Sequence, residues 1–306
     1  MIIKKEKQGN VTIYTVDKNM TDEQADKLQD KRVTPGMIDY IIEHNADVYT
    51  ADGKLLLRFR KNILLQKHID DFYTNIISFA RRTSSNRGST SGSKIKDLAH
   101  NPKIMTNIFG YFDRWSPSQK VIFKHLHMKT PLEVRECNFN AENPEKYAKV
   151  VPLIQDIDKL YKMSTPDHYK KQRAKANQTF FRIPNTAFTT VTTNINFQTH
   201  IHKDKGDDSD GFGNLAVIEK GKYEGGETCF PQYGLGVNVR TGDILFMDVH
   251  QWHANLPIKM EGPDTIRLSI VCYLRYNVWN RTKHRPKSFY IRHNKTIKNI
   301  KGKSGK

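Results

Sequence analysis

Between residues 62 and 82 the apolar positions Ile63, Leu64, Ile69, Phe72, Ile76, Ile77 and Phe79 recur at helical spacing. That is the pattern of an amphipathic helix with one buried face. A second helical block is predicted over roughly 117–127 and 144–173, where Val150, Leu153, Ile154, Ile157 and Leu160 share a face. Nearer the start, residues 11–16 alternate as a strand does, and Thr21 to Gln24 form a capping box that opens a short helix. Beyond Pro184 the texture changes to short runs rich in Thr, Val, Ile and Phe, at about 186–201, 214–219, 227–230, 236–239, 243–248 and 265–275. Strands this short and this closely spaced pack as a sandwich or jelly roll, not as a parallel α/β sheet. Gly242-Asp243 reads as a tight turn entering a buried strand at 244–247. The expected class is α+β, without internal repeats. Residues 1–60 form a mixed segment, 61–185 a helical support region, 186–280 the strand-rich core, and 281–306 a basic tail expected to be disordered.

Composition narrows the class. Of 306 residues, 37% are apolar, which is enough for a sizeable core and excludes global disorder. No run approaches the ~18 consecutive apolar residues of a membrane span. The first residues lack the apolar stretch of a signal peptide, so an intracellular protein of nucleus or cytoplasm is expected. Three cysteines (Cys137, Cys229, Cys272) without a C-x-x-C pair argue against a disulfide framework and against cysteine-ligated zinc. Lys and Arg number 50 against 32 Asp and Glu, a net charge of +18. Charge of that size opposes compaction and favours a polyanionic partner over plain solubility. Residues 265–306 hold twelve Lys/Arg and no acid, and the Gly/Ser-rich stretch 81–94 holds four more basic residues. The latter suits a flexible connector and phosphate contact equally well. A monomer is expected.

Candidate chemistry begins with Thr199-His-Ile-His-Lys-Asp204. On a strand, His200, His202 and Asp204 would project to one side. A distant His253, just past the buried strand at 244–248, completes two histidines and a carboxylate. Such a set leaves three positions open on an octahedral iron(II). H-x-D recurs by chance and single histidines are commonly structural, so this pattern needs support. Residues 265–275 supply it, because Arg267 and Ser269 share one face of a strand, fourteen and sixteen residues past His253. A buried Arg beside a hydroxyl can capture a small carboxylate bidentately. A structural ion pair is the alternative, but no acidic residue lies nearer in sequence than Asp264. Triad plus clamp is the layout of an iron/2-oxoglutarate dioxygenase.

At this point the sequence resembles a known family, the TET/base-J-binding-protein group of iron(II)/2-oxoglutarate-dependent nucleic-acid dioxygenases. The resemblance spans roughly residues 145–280 and is carried by 193–204, by His253 to Ile258, by 265–273, and more weakly by 165–172. Gly211 to Leu215, Gly225-Gly226-Glu227 and Phe230-Pro231 are similar to the compact viral and fungal branches. It implies a double-stranded β-helix (jelly roll) from about residue 186, braced by the preceding helices. It implies His202, Asp204 and His253 as iron ligands, Arg267 and Ser269 as the clamp, and Asn194 as a further co-substrate contact. Iron(II), 2-oxoglutarate and O₂ would be required, and methylated DNA would be the partner.

A methyl group inside a duplex cannot reach such a site, so the base must be flipped out and stacked. The resemblance places Tyr273 as the stacking platform, Asp207 as the base-reading side chain, and Arg275 near base O2 or a phosphate. The alternative for Tyr273 is a strand-end core aromatic, and for Asp207 a solvated acidic loop at 206–210. An ionised Asp only accepts, which suits the N4 amino group of 5-methylcytosine better than O4 of thymine. Hydroxylation of 5-methylcytosine is therefore expected, with thymine as the alternative. Two rivals stand outside this class: a DNA-binding jelly roll without redox chemistry, and a dioxygenase acting on protein or small-molecule methyl groups. The complete triad with Arg267 argues against the first. The charge and the Asp207/Tyr273 pair argue against the second.

Overall fold

Period-two burial of apolar side chains brings two β-sheets face to face. The computed structural model describes residues 1–83, 104–113, 134–286 and 288–289, together with 125 and 127. Most of the helix expected over 117–127, of the 81–94 stretch and of the basic tail lies outside the described residues.

The larger sheet holds, in spatial order, β1 (Ile2–Gln8), β2 (Val11–Val16), β4 (Ala46–Thr50), β5 (Leu55–Arg60), β13 (Ile244–Met247), β9 (Gly213–Lys220), β16 (Ile266–Tyr273), β8 (Thr190–Ile195), β6 (Met105–Phe112) and β7 (Arg135–Glu136). The smaller sheet runs β14 (Ala254–Asn255), β11 (Thr228–Phe230), β12 (Leu235–Val237) and β3 (Tyr40–Ile42). A ribbon of β10 (Tyr223–Gly225) and β15 (Ile258–Met260) lies apart. Val48, Leu57, Phe59, Leu215, Leu245 and Met247 from the larger sheet meet Phe230, Leu235 and Val237 from the smaller one. This is the jelly-roll core of an α+β fold.

Helices cover the other face of the larger sheet. They are α2 (Gln66–Ala80), α3 (Asn138–Glu142), α4 (Pro144–Ser164) and α5 (Pro166–Ala176). The predicted apolar stripes do the packing. Ile69, Phe72 and Ile76 of α2, and Val150, Leu153, Ile154 and Ile157 of α4, join one core with Ile266, Leu268 and Ile270 of the sheet. The Thr21 capping box opens α1 (Asp22–Asp26) as expected. None of the described helices is long and apolar enough to cross a membrane.

Three features depart from the pattern-based reading. The mixed N-terminal segment supplies four strands to the larger sheet and one to the smaller, because Tyr14, Val16, Val48, Leu57 and Phe59 need the inter-sheet core to bury their apolar faces. Within the expected helical region, 105–112 is strand β6, paired antiparallel with β8 from Met105↔Ile195 to Gly110↔Thr190. Finally, β8 ends at Ile195, and residues 199–204 are not a strand. Asn196 turns the chain at φ 48°, a left-handed conformation that Asn tolerates. Its side chain secures the turn, with Nδ2 donating to Thr265 O (2.8 Å) and Oδ1 accepting from Arg267 N (2.7 Å).

The N-terminal strands are thus part of the jelly roll. Phe59→Ala, at a fully buried position, should cost ~3–5 kcal/mol. In urea unfolding the whole protein should lose that stability in one transition. A separate early transition, with the main midpoint unmoved, would show that residues 1–60 form an independent unit.

Candidate active site

The loop after Asn196 meets the segment after β13 through a two-residue bridge. His202 N donates to His253 O and His253 N to His202 O, both at 3.0 Å. This brings the two imidazoles to 4.4 Å between ring centroids, and both are buried. Asp204 is held by its backbone, its N donating to Val249 O at 2.9 Å. Its carboxylate oxygens lie 3.6 Å from His202 Nε2 and 3.9 Å from His253 Nε2. One ligand atom from each of the three residues falls within 4.8 Å of the others. The bridge, not strand alternation, therefore brings the triad together.

Hydrogen bonding orients both rings. His202 Nδ1 lies 2.6 Å from His200 O, and His253 Nδ1 lies 2.9 Å from Gln251 O. A carbonyl only accepts, so each Nδ1 carries the proton and each Nε2 turns its lone pair toward Asp204. Two atoms each about 2.1 Å from a shared ion lie at most about 4.2 Å apart, and the His–Asp spacings fit within that. Two imidazoles and a carboxylate on one side of an ion, with the rest open, is the donor set of a non-haem iron(II) site. His200 contributes its carbonyl, and its side chain is not in the group.

The residues expected to form the clamp come from β16, whose side chains alternate strictly. Ile266, Leu268, Ile270 and Cys272 enter the helix-side core. Arg267, Ser269, Val271 and Tyr273 line a cavity of about 620 Å³ shared with His202, Asp204 and His253. Arg267 is 4% exposed and its Nε has no hydrogen-bond partner. Burial pulls its pKa down, and the nearby Tyr223 acts in the opposite direction. A buried guanidinium of this kind gains much from an anion. Gly226, at φ 77°, makes room for it: a methyl group there would lie 2.8 Å from Arg267 Nε and 2.9 Å from Cδ. Register sets Asn194 opposite Ser269, and Asn194 Nδ2 donates to Ser269 Oγ at 3.0 Å. Thr106 Oγ1 donates to Asn194 Oδ1 at 3.1 Å.

Tyr273, Asp207 and Arg275 sit together on the cavity wall. Tyr273 is buried, its hydroxyl 3.3 Å from Thr192 Oγ1. Asp207 and Arg275 face each other across a second bridge. Arg275 Nε pairs with Asp113, its guanidinium lies 4.1 Å from the Phe112 ring centroid, and Asn277 Nδ2 donates to Asp113 at 2.7 Å. The acidic loop is solvated only in part, with Ser209 exposed and Asp208 buried. Asp208 is buried and paired with Lys175, which also reaches Asp210 at 2.7 Å, while Asp208 N donates to Leu274 O at 2.9 Å.

Asp113, Thr106 and Lys175 were not singled out by the sequence patterns. Their partners lie 162, 88 and 33 residues away. Gly226 was visible in a Gly-Gly pair, but its function as a seat for Arg267 requires the fold.

The comparisons with known proteins agree with this geometry. The Tet_JBP family model, described as the oxygenase domain of the 2OGFeDO superfamily, matches residues 120–276. Thymine dioxygenase JBP1 of Trypanosoma brucei brucei is 29% identical over 281 residues, covering 87% of this chain and 31% of that protein. Bifunctional helicase and thymine dioxygenase JBP2 of Trypanosoma cruzi is 30% identical over 253 residues, covering 79% of this chain and 21% of that protein. The chain thus spans less than a third of the length of these relatives. Among solved structures, NgTET1 in complex with 5mC DNA superposes with a TM-score of 0.50 at 13% identity, over 93% of this chain and 91% of that one, a likeness of fold. With a jelly roll, a convergent triad and a buried arginine sharing one cavity, the chain belongs to the Tet_JBP family of 2-oxoglutarate- and iron(II)-dependent oxygenase domains.

Proposed function

We propose that this chain hydroxylates the 5-methyl group of a pyrimidine flipped out of DNA, with thymine as the preferred base. The observation that carries the reading is the single cavity whose wall holds the triad, the buried Arg267 and the Tyr273/Asp207/Arg275 group together. Iron(II), when bound with 2-oxoglutarate and O₂, supplies the oxidising power that places a hydroxyl on the methyl carbon, with release of CO₂ and succinate. The chain's own residues do the rest. His202 and His253 offer Nε2 and Asp204 a carboxylate oxygen to the metal. Arg267 and Ser269 receive the far carboxylate of 2-oxoglutarate, and Asn194 holds the Ser269 hydroxyl in place. Tyr273 offers a ring against the flipped base.

On base choice, Arg275 can only donate, which suits the carbonyl oxygens of thymine, and Asp207 can accept from thymine N3–H. The named activity of the JBP1 and JBP2 relatives supports thymine. A second reading, 5-methylcytosine, is favoured by the same Asp207, which can accept from the N4 amino group.

The iron site can be checked ligand by ligand. His202→Ala, Asp204→Ala and His253→Ala should each lose iron(II) binding by equilibrium dialysis while keeping the fold. His200→Ala should retain it, since only the His200 carbonyl is used. Loss of iron in the His200 variant alone would place the site elsewhere.

Gly226→Ala should displace Arg267 and weaken 2-oxoglutarate binding at least about tenfold, or ~1.4 kcal/mol. Arg267→Lys should do the same, because it keeps the charge and loses the fork. Unchanged binding in both would remove Arg267 from the clamp.

One duplex carrying both thymine and 5-methylcytosine, read by nucleoside mass spectrometry, tests the base. A correct base-edge hydrogen bond is worth ~1–3 kcal/mol, so 5-hydroxymethyluracil should exceed 5-hydroxymethylcytosine by about fivefold or more. The reverse ratio would select the second reading.

A further inference from the structure

Residues 27–32, between α1 and β3, are docked on the loop that carries the triad. Asp30 N donates to Ile201 O at 3.0 Å and Ile201 N donates to Lys31 O at 2.8 Å. Trp252 Nε1, one residue before His253, donates to Asp26 Oδ1 at 3.0 Å. Underneath, Ala25, Val33, Ile201 and Trp252 share a buried apolar cluster. The segment is therefore clipped to the triad from both sides, and Gln29 and Asp30 form part of the cavity lining.

Its outward face presents three cations beside the exposed acids Asp26 and Asp30. Lys27, Lys31 and Arg32 are exposed, as is Lys205. Lys203 lies with its Nζ 4.6 Å from the Trp252 ring centroid, and both Lys203 and Lys205 line the cavity. Of the other cations near the cavity, Arg267 is buried inside it, Arg275 pairs through Nε with Asp113, and Lys175 pairs with Asp208 and Asp210. Among the described residues, none of Lys27, Lys31, Arg32, Lys203 and Lys205 forms an ion pair. Asp30 is the one acidic residue within 27–32, so that stretch carries a net two positive charges.

We propose that Lys27, Lys31 and Arg32, continued by Lys203 and Lys205, form a phosphate-gripping rim that holds the DNA backbone beside the flipped nucleotide. The proposal rests on the DNA reading above and adds a surface to it. Unpaired cations on a rigid support favour phosphate contact, since a flexible arm would lose more ordering entropy on binding. The support here is the triad's own loop, so a backbone gripped at the rim is placed in fixed register with the metal. Phosphate contacts position a duplex without reading its sequence.

The test is duplex binding by the full chain, measured by fluorescence anisotropy across a salt series without iron or 2-oxoglutarate. Lys27→Ala/Lys31→Ala/Arg32→Ala removes three rim charges. Lys159→Ala/Lys162→Ala/Lys170→Ala removes three exposed charges from the helical layer and serves as the matched control. Each lost phosphate contact lowers the slope of log affinity against log salt by about one unit, so the rim variant should fall by about three and the control by less than about one. Lys27→Arg/Lys31→Arg/Arg32→Lys should keep the wild-type slope, and circular dichroism should show all variants folded. A fall of less than about two units in the rim variant, or an equal fall in both alanine triples, overturns the rim while leaving the DNA reading standing. A wild-type chain without salt-dependent duplex binding overturns both.

Discussion

The site depends on strand β16 having two faces with different tasks. Every second residue, from Ile266 to Cys272, is committed to the helix-side core, and burial there sets the strand's register. The intervening residues, Arg267, Ser269, Val271 and Tyr273, have no freedom to face anything but the cavity. A one-residue slip would exchange the two sets and bury the arginine among the helices. Packing of the apolar set therefore enforces the order arginine, serine, valine, tyrosine along the cavity. Neighbouring strands transmit it: β8 sets Asn194 against Ser269, and β6 sets Thr106 against Asn194.

The metal-binding group rests on a different device. Asn196 ends β8 in a left-handed turn, and the freed loop crosses to pair with the segment after β13. Backbone bonds at the His202–His253 bridge fix the loop, and carbonyls fix the rings. The triad is thus preorganised by the chain's own hydrogen bonds. Arg267 is preorganised at a cost. A buried donor without a partner, as at its Nε, costs ~1–3 kcal/mol, which the carboxylate of the proposed co-substrate contact would relieve.

Much of this was legible in the residues. Helical periodicity located α2 and α4, alternation located β2, and short runs rich in Thr, Val, Ile and Phe located β9, β13 and β16. The H-x-D, the distal His and the Arg-x-Ser pair each had a recognisable spacing, and the structure gathers all of them into one cavity. What was not legible depends on contacts across the fold. Residues 105–112 pass as part of a helical region until β8 is there to pair with them. The turn at Asn196 has no periodic signature, so 199–204 reads as a strand. Asp113 means nothing until Arg275, 162 residues later, lies against it. Asp208 reads as a surface acid until Lys175 covers it.

The hydroxylation proposed for this chain requires that one cavity hold iron(II) at His202, Asp204 and His253 while 2-oxoglutarate reaches from the metal to Arg267. Anaerobic titration of the intact chain with iron(II) and 2-oxoglutarate probes this requirement, because a 2-oxo acid chelated to iron(II) produces a visible charge-transfer absorption. The expected result is a band that saturates at one iron per chain and is absent from the His253→Ala variant. A band of undiminished strength in that variant, or none in the native chain, would contradict it.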